Sequence, residues 1–259
     1  MGEQTNISWT AHTFNSHWGC TRVSPGCENC YAETFDKRIG GDHWGPGKPR
    51  REFGPKHWAE PLKWNEKARR AGIPAKVFSG SMCDIFDDEA PAGARERLWD
   101  LARQTEHLIW QFLTKRPENI EKYFPRDLLS DPRIWLGITA ENQPWLDKRW
   151  PYLRDAGPVV AWISYEPALG PLDLGDYRPD WLICGGESGN GFRPMQESWA
   201  ENLRRQCAEL GVAFFMKQMS ARTPGAGKAL IPPHLNVQQF PGESFQAKGR
   251  NHEDEPVRP

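Results

Sequence analysis

The 259-residue chain has no apolar run near the roughly 18 residues that a membrane-crossing helix needs, so its composition speaks against a helical membrane protein. It has almost no net charge: 33 Lys and Arg face 34 Asp and Glu, leaving −1. Without a basic excess, the chain cannot hold nucleic acid by its overall field; such a partner would need a local patch. Internal repeats and heptads are missing, which removes solenoids and coiled coils. The polar start Met-Gly-Glu-Gln-Thr-Asn is followed by no signal-peptide core, so a cytoplasmic protein is expected. Cysteine is scarce at six residues, and in a reducing compartment these are metal ligands or free thiols rather than disulfides. No second C-x2-C exists, which weakens a zinc ribbon or finger.

Half of the cysteines are concentrated in one place. Cys20, Cys27 and Cys30 form C-x6-C-x2-C within the run Trp-Gly-Cys-Thr-Arg-Val-Ser-Pro-Gly-Cys-Glu-Asn-Cys-Tyr-Ala-Glu. Thiolate-rich sites select zinc or iron–sulfur. Three thiolates on one loop can hold three irons of a [4Fe–4S] cluster and leave the fourth open to a small molecule. Zinc wants a closed set of four ligands, and His12, His17 or His43 could complete one. Both metals stay open on the residues alone, with the cluster favoured by ligand count.

With 38% hydrophobic residues the chain can build a sizeable core. Short runs, apolar on both faces, recur at Ala75–Ser79, Leu108–Leu113, Ile134–Ile138, Val159–Ile163, Trp181–Cys184 and Val212–Met216, which reads as buried parallel strands with helical crossovers. A first strand near Ile7–Phe14 makes seven. Helices are expected over Glu89–Thr105, with Pro91 in the first turn, and over Ser198–Leu210, stopped by Gly211. The expected fold is α/β, a partial or complete TIM-type (β/α) barrel; a doubly wound open sheet is the alternative. Residues 1–220 would form the barrel domain, with a Gly-, Pro-, Trp- and base-rich excursion at 40–64. Residues 221–259 would form a C-terminal arm with a disordered tail from about Gln246.

Barrel sites lie where strands end. The second strand ends in Ser79, Gly80, Ser81, Met82, Cys83 and Asp84; the third in Thr114, Lys115 and Arg116; the fourth in Thr139, Glu141 and Asn142. The fifth ends in Ser164 and Glu166, the sixth in Gly185, Gly186 and Glu187, and the seventh in Lys217 and Gln218. Helix capping explains single Ser, Thr, Asp and Asn residues, but not a Glu at three successive strand ends. Gly185–Gly189 can cradle an anion or form a plain tight turn. Asp87, Asp88 and Glu89 can hold a divalent ion or meet a helix dipole. Cys184 and Cys207 read as core thiols, and Cys83 as a pocket-facing one.

Several segments together carry a family resemblance: Asn6-Ile7-Ser8-Trp9-Thr10, Trp18-Gly19-Cys20-Thr21, Cys27-x-x-Cys30-Tyr31-Ala32-Glu33, Gly80-Ser81-Met82-Cys83-Asp84, Leu113–Pro117, Trp135–Thr139, Ser164–Pro167, Gly185–Gly189 and Phe215–Gln218. From about Thr5 to Ser220 the chain resembles a family of phage and bacterial proteins of unknown function, itself similar to radical S-adenosylmethionine (SAM) enzymes. The resemblance implies a [4Fe–4S] cluster on Cys20, Cys27 and Cys30, with SAM on the open iron, reductive cleavage to a 5′-deoxyadenosyl radical, and an electron donor such as flavodoxin or ferredoxin. It departs from the commonest C-x3-C-x2-C spacing, and the Gly-Gly-Glu expected after the second strand comes late, at 185–187. Ser79, Gly80 and Ser81 are therefore the positional candidates for the SAM amino group. Thr139, Glu141, Asn142, Ser164, Gly185 and Gly186 are candidates for the rest of the cofactor, and Glu166, Glu187 and Lys217 for catalysis. The phage link points by analogy to nucleotide or nucleic-acid modification or repair. Two rivals remain: a zinc-stabilised nucleic-acid-binding protein using the 40–64 excursion, and a metal-free barrel hydrolase using two of the three glutamates.

Overall fold

A computed structural model describes residues 5–242. The tail from Gln246 that was expected to be disordered lies outside the described residues. Seven strands form one parallel sheet: β1 (His12–Phe14), β2 (Ala75–Ser79), β3 (Leu108–Thr114), β4 (Ile134–Thr139), β5 (Val160–Tyr165), β6 (Trp181–Gly185) and β7 (Ala213–Gln218). Each strand pairs with the next in sequence, from β1 at one edge to β7 at the other. The sheet is curled into a half-barrel. An order without reversal has no topological switch point, so the doubly wound alternative is overturned. The main helices are α1 (Tyr31–Arg38), α2 (Glu60–Ala71), α3 (Ala94–Gln104), α4 (Gln143–Ala156) and α5 (Glu197–Leu210).

The strands are apolar throughout because both faces are buried. On one face Val77, Trp110, Leu136, Ile163, Leu182 and Phe214 join the large core beneath the helices. On the other, Trp9, Phe78, Trp135, Trp162, Trp181 and Phe215 fill the inside of the half-barrel. Helix α5 ends at Gly211 with φ +70°, the left-handed stop expected there. Cys184 and Cys207 are fully buried, as read from sequence.

Three local expectations need correction. The first strand covers only His12–Phe14; Trp9 leaves the ladder to plug the indole cluster. Helix α3 starts at Ala94, not at Glu89, and Pro91 lies in the turn before it, because Gly93 takes φ +76° and Arg95 reaches back to the Ile85 carbonyl at 2.7 Å. The excursion is shorter than 40–64: a single turn at Pro55–Trp58 leads into α2 at Glu60. Among the described residues of the C-terminal arm, Leu235 is buried in the core and Gln239 accepts the Trp181 indole N–H at 2.9 Å.

Candidate functional site

Side chains alternate along a strand, so one face of each strand lines the inside of the half-barrel. Along β5 this face reads Val160, Trp162, Ser164 and then Glu166; along β4, Trp135, Gly137 and Thr139; along β7, Ala213, Phe215 and Lys217. Register places Thr139 beside Ser164, and Gly137 beside Trp162. Gly137 is a glycine because a Cβ there would lie 2.4 Å from the Trp162 ring. The inner face therefore changes from an indole floor to hydroxyls and charges at the carboxyl ends of the strands. There Lys217 Nζ meets Glu166 Oε1 at 2.6 Å, across Gly185, whose missing Cβ would lie 2.7 Å from that oxygen. Lys115 Nζ reaches Thr139 Oγ1 at 3.3 Å.

The loop from Gly19 to Cys30 leaves β1 at this same edge. Its three thiols are free and half-buried. It is anchored at three places. Arg116, only 6% exposed, donates to Cys20 Sγ at 3.4 Å and to the Thr21 carbonyl at 2.6 Å. Ser24 donates to Glu141 Oε1 at 2.5 Å, and Glu141 pairs at 2.7 Å with Arg149, both fully buried. Asn29 donates to Glu187 Oε2 at 2.9 Å, while Arg193 binds Glu187 at 2.5 Å, Glu28 at 2.8 Å and the Pro25 carbonyl at 2.9 Å. Gly26 must lack a Cβ because Glu141 fills that space, 2.3 Å away. Burial pushes the Cys20 thiol up to about 12, reinforced by the Asp84 carboxylate and opposed by Arg116; burial also raises Cys30, opposed by backbone N–H groups and Lys115. Metal loading must release these protons.

The donor set fits an iron–sulfur cluster. It offers three soft ligands on one anchored loop, and a charged hydrogen-bond donor already on one sulfur. It fits one zinc ion less well. Thiolates around a zinc lie about 3.8 Å apart at Zn–S near 2.3 Å. Among the described residues the triad is not a set whose donor atoms all lie within 4.8 Å of one another; Glu197, Glu201 and His234, on the surface, are. Of the histidines offered as a fourth ligand, His12 stacks on Trp64 and His43 bonds Asp36, while His17 is buried with Nδ1 on Ser16 and its Nε2 without a hydrogen-bond partner among the described residues.

The remaining candidates divide. Thr139, Ser164, Glu166, Gly185 and Lys217 share the inner face; Gly80 and Ser81 lie half-exposed beside the loop, with Tyr31 donating to the Ser81 carbonyl at 2.6 Å. Ser79 is fully buried, and its hydroxyl has no partner among the described residues. Gly186 offers no anion cradle, since a Cβ would meet the Ser220 amide at 2.2 Å; the chain itself fills the space. Asn142 caps α4, the bland role weighed against ligand binding. Glu141 and Glu187 brace the cysteine loop. Burial pushes Glu187 up, but bonds from Arg193 and Asn29 outweigh it and hold its carboxyl below the usual range. With Glu166 on Lys217, all three glutamates are ion-paired, which leaves the hydrolase rival no free acid–base pair among them. Asp87 and Glu89 bind Arg50, and Asp88 binds Lys122, so these acids are engaged without a divalent ion. Cys83 is buried within 3.8 Å of Asn15 Oδ1. In the excursion, Trp58 and Trp64 are core residues and Arg50 is buried in ion pairs, so they are not free to stack bases or meet phosphates. Sequence reasoning missed Arg149, Arg193, Ser24 and Asn29; Ser24 and Asn29 meet glutamates 117 and 158 residues away, Arg149 and Arg193 lie 8 and 6 residues past theirs, and no motif marks any of these pairs.

A family model described as a protein of unknown function, DUF5131, matches residues 4–254, and the chain belongs to that family. No curated protein matches it. Among solved structures the chain is similar to a cysteine-to-serine variant of spore photoproduct lyase, at 14% identity over 83% of this chain and 78% of that one, with a TM-score of 0.53. A form of that lyase with bound AdoMet and dinucleoside spore photoproduct matches at 13% identity over 85% of this chain and 59% of that one, TM-score 0.48. A complex with dinucleoside spore photoproduct matches at 12% identity over 81% and 75%, TM-score 0.46. The first likeness shows a shared fold, the α/β half-barrel that the sequence led us to expect. No helix among the described residues is long and apolar enough to cross a membrane.

Proposed function

We propose that this member of the DUF5131 family is a radical-SAM-like enzyme. Cys20, Cys27 and Cys30 would hold a [4Fe–4S] cluster at the carboxyl edge of the half-barrel, and S-adenosylmethionine would lie beside it over the inner face. The observation that carries the reading is the anchoring of three free thiols at the edge where the barrel lining turns polar. When bound, the cluster and SAM would supply one-electron chemistry. The protein's own residues would bind, orient and exclude water. Ser79, Gly80 and Ser81 would meet the amino group, and Thr139 and Ser164 the sugar hydroxyls. Lys115 and Lys217 would meet carboxylate or phosphate oxygens, and Glu166 would hold Lys217 in place through their 2.6 Å pair. The indole floor closes the inner end against water.

The substrate class proposed is a nucleotide or nucleic acid, acted on for modification or repair. It rests on fold-level analogy to a lyase named for spore photoproduct. A flavodoxin- or ferredoxin-type donor would deliver the electron, in the cytoplasm. Residues 5–220 would be the catalytic domain and the following segment an accessory arm. The test is anaerobic reconstitution, with iron, sulfide and zinc counts and a SAM-cleavage assay under reductant, with and without oligonucleotide. Iron and sulfide with 5′-deoxyadenosine release are expected. One zinc per chain and no SAM cleavage would sink the proposal.

A further inference from the structure

Arg116 stands two residues past the end of β3, and its side chain is buried. Its guanidinium is fixed from three directions. Nη1 lies 3.3 Å from Asp84 Oδ2, Nη2 lies 2.6 Å from the Thr21 carbonyl, and Asp87 Oδ1 approaches Nη2 at 3.7 Å. Asp84 is itself held by the Thr114 hydroxyl at 2.8 Å and the Lys115 amide at 3.0 Å; Asp87 is held by Arg50 at 2.9 Å. This arrangement aims Nη1 at Cys20 Sγ, 3.4 Å away. The other loop sulfurs are treated differently. The Ser24 hydroxyl lies 3.8 Å from Cys27 Sγ; Cys30 is met by the backbone N–H groups of Ala32 and Glu33 and by the charge of Lys115, with no charged side-chain donor on its sulfur among the described residues.

A charge-assisted hydrogen bond strengthens as its acceptor grows more negative. A thiolate ligand becomes more electron-rich when the group it holds gains an electron, so a fixed N–H donor to that sulfur favours the reduced state. Hydrogen bonds to cluster sulfurs are among the levers that set reduction potential. Because Asp84 and Asp87 offset the guanidinium charge, the effect depends on the aimed N–H more than on bare charge.

Resting on the reading that Cys20 is a cluster ligand, we propose that Arg116 is a positioning residue that raises the reduction potential of the site through its N–H···S bond to Cys20. A strut that merely supports Asp84 and the loop would change stability and iron retention, not potential.

The test is a potentiometric titration of the anaerobically reconstituted wild type, Arg116→Gln and Arg116→Lys, with iron and sulfide counted in each. Arg193→Gln is the control, since Arg193 bonds Glu28 and the Pro25 carbonyl of the same loop, and Glu187 after β6. The expected result is a midpoint shifted negative in Arg116→Gln, a smaller negative shift in Arg116→Lys, and no shift in Arg193→Gln even where its iron content drops. An unchanged midpoint in fully loaded Arg116→Gln overturns the proposal, as does an equal shift in Arg193→Gln. If Arg116→Gln does not load, Arg116→Lys decides: a negative shift supports the proposal and no shift overturns it. A wild type that takes up no iron fails the functional reading itself, a result distinct from either of these.

Discussion

Glu141 and Arg149 form a buried ion pair, 0% and 1% exposed, with an Nη1···Oε2 distance of 2.7 Å. Glu141→Ala removes the carboxylate and leaves the guanidinium with the Thr139 carbonyl, 2.8 Å away, and the face of the Trp145 ring, 4.3 Å from its centroid, neither of which carries a negative charge. Arg149 Nε and Nη2 already lack partners among the described residues, so nothing nearby replaces the lost charge. Breaking a buried pair in this way costs about 3–5 kcal/mol. At about 2–4 °C per kcal/mol for a domain of this size, the melting temperature should fall by roughly 6–20 °C. The measurement is thermal and urea unfolding of the metal-free chain followed by circular dichroism. Because Ser24 loses its acceptor as well, residues 24–27 should exchange amide hydrogens faster. Replacing both partners, Glu141→Met with Arg149→Met, should recover most of the loss, since an apolar pair needs no desolvated ions. A loss below about 1 kcal/mol in the single variant, or a double variant as unstable as the sum of the two singles, would refute the reasoning.

Burial, with Arg50 and Arg95 nearby, lowers the pKa of His17 to about 4, so the fold holds it neutral. The unfolded state, titrating near 6.5, takes up the extra proton; stability is complete above about pH 6.5 and declines by up to about 3 kcal/mol as pH falls toward 4. Urea midpoints between pH 7.5 and 4.5 should show that slope, and His17→Gln should flatten it. Gly137→Ala should cost about 1–3 kcal/mol by overpacking against Trp162 and should shift indole fluorescence; wild-type stability would contradict the close approach. Lys217→Met should change stability by less than about 1 kcal/mol, because the Glu166 pair is partly exposed. The same change should weaken SAM or substrate binding by about 1.5–3 kcal/mol, read by calorimetry, and unaltered affinity would remove Lys217 from the site.

Much of the frame is legible in local sequence. All six later strands begin within one residue of their apolar runs, and β2 matches its run at both ends, because two-sided burial writes itself as runs rich in Val, Ile, Leu and Trp. Gly211 marks the end of α5 for the steric reason that favours glycine at positive φ. Errors fell where a tertiary contact outweighs a local signal. Trp9 gives up strand pairing for the indole cluster, and Pro91 precedes its helix because Gly93 turns the chain after it.

The strand succession, the C-x6-C-x2-C triad and the concentration of polar groups after the strands can all be read along the chain, since each depends on neighbours within a few residues. What those polar groups do depends on how the folded chain pairs them. Glu141, Glu166 and Glu187 look alike as strand-end carboxylates. Yet Glu141 is sealed by Arg149 beneath Ser24, Glu187 is taken by Arg193 and Asn29, and Glu166 faces the half-barrel with Lys217. Their partners lie 8, 6 and 51 residues away, and for Ser24 and Asn29 the separations are 117 and 158. A side chain's charge is written in the chain, but its partner is chosen by which strands the fold sets side by side.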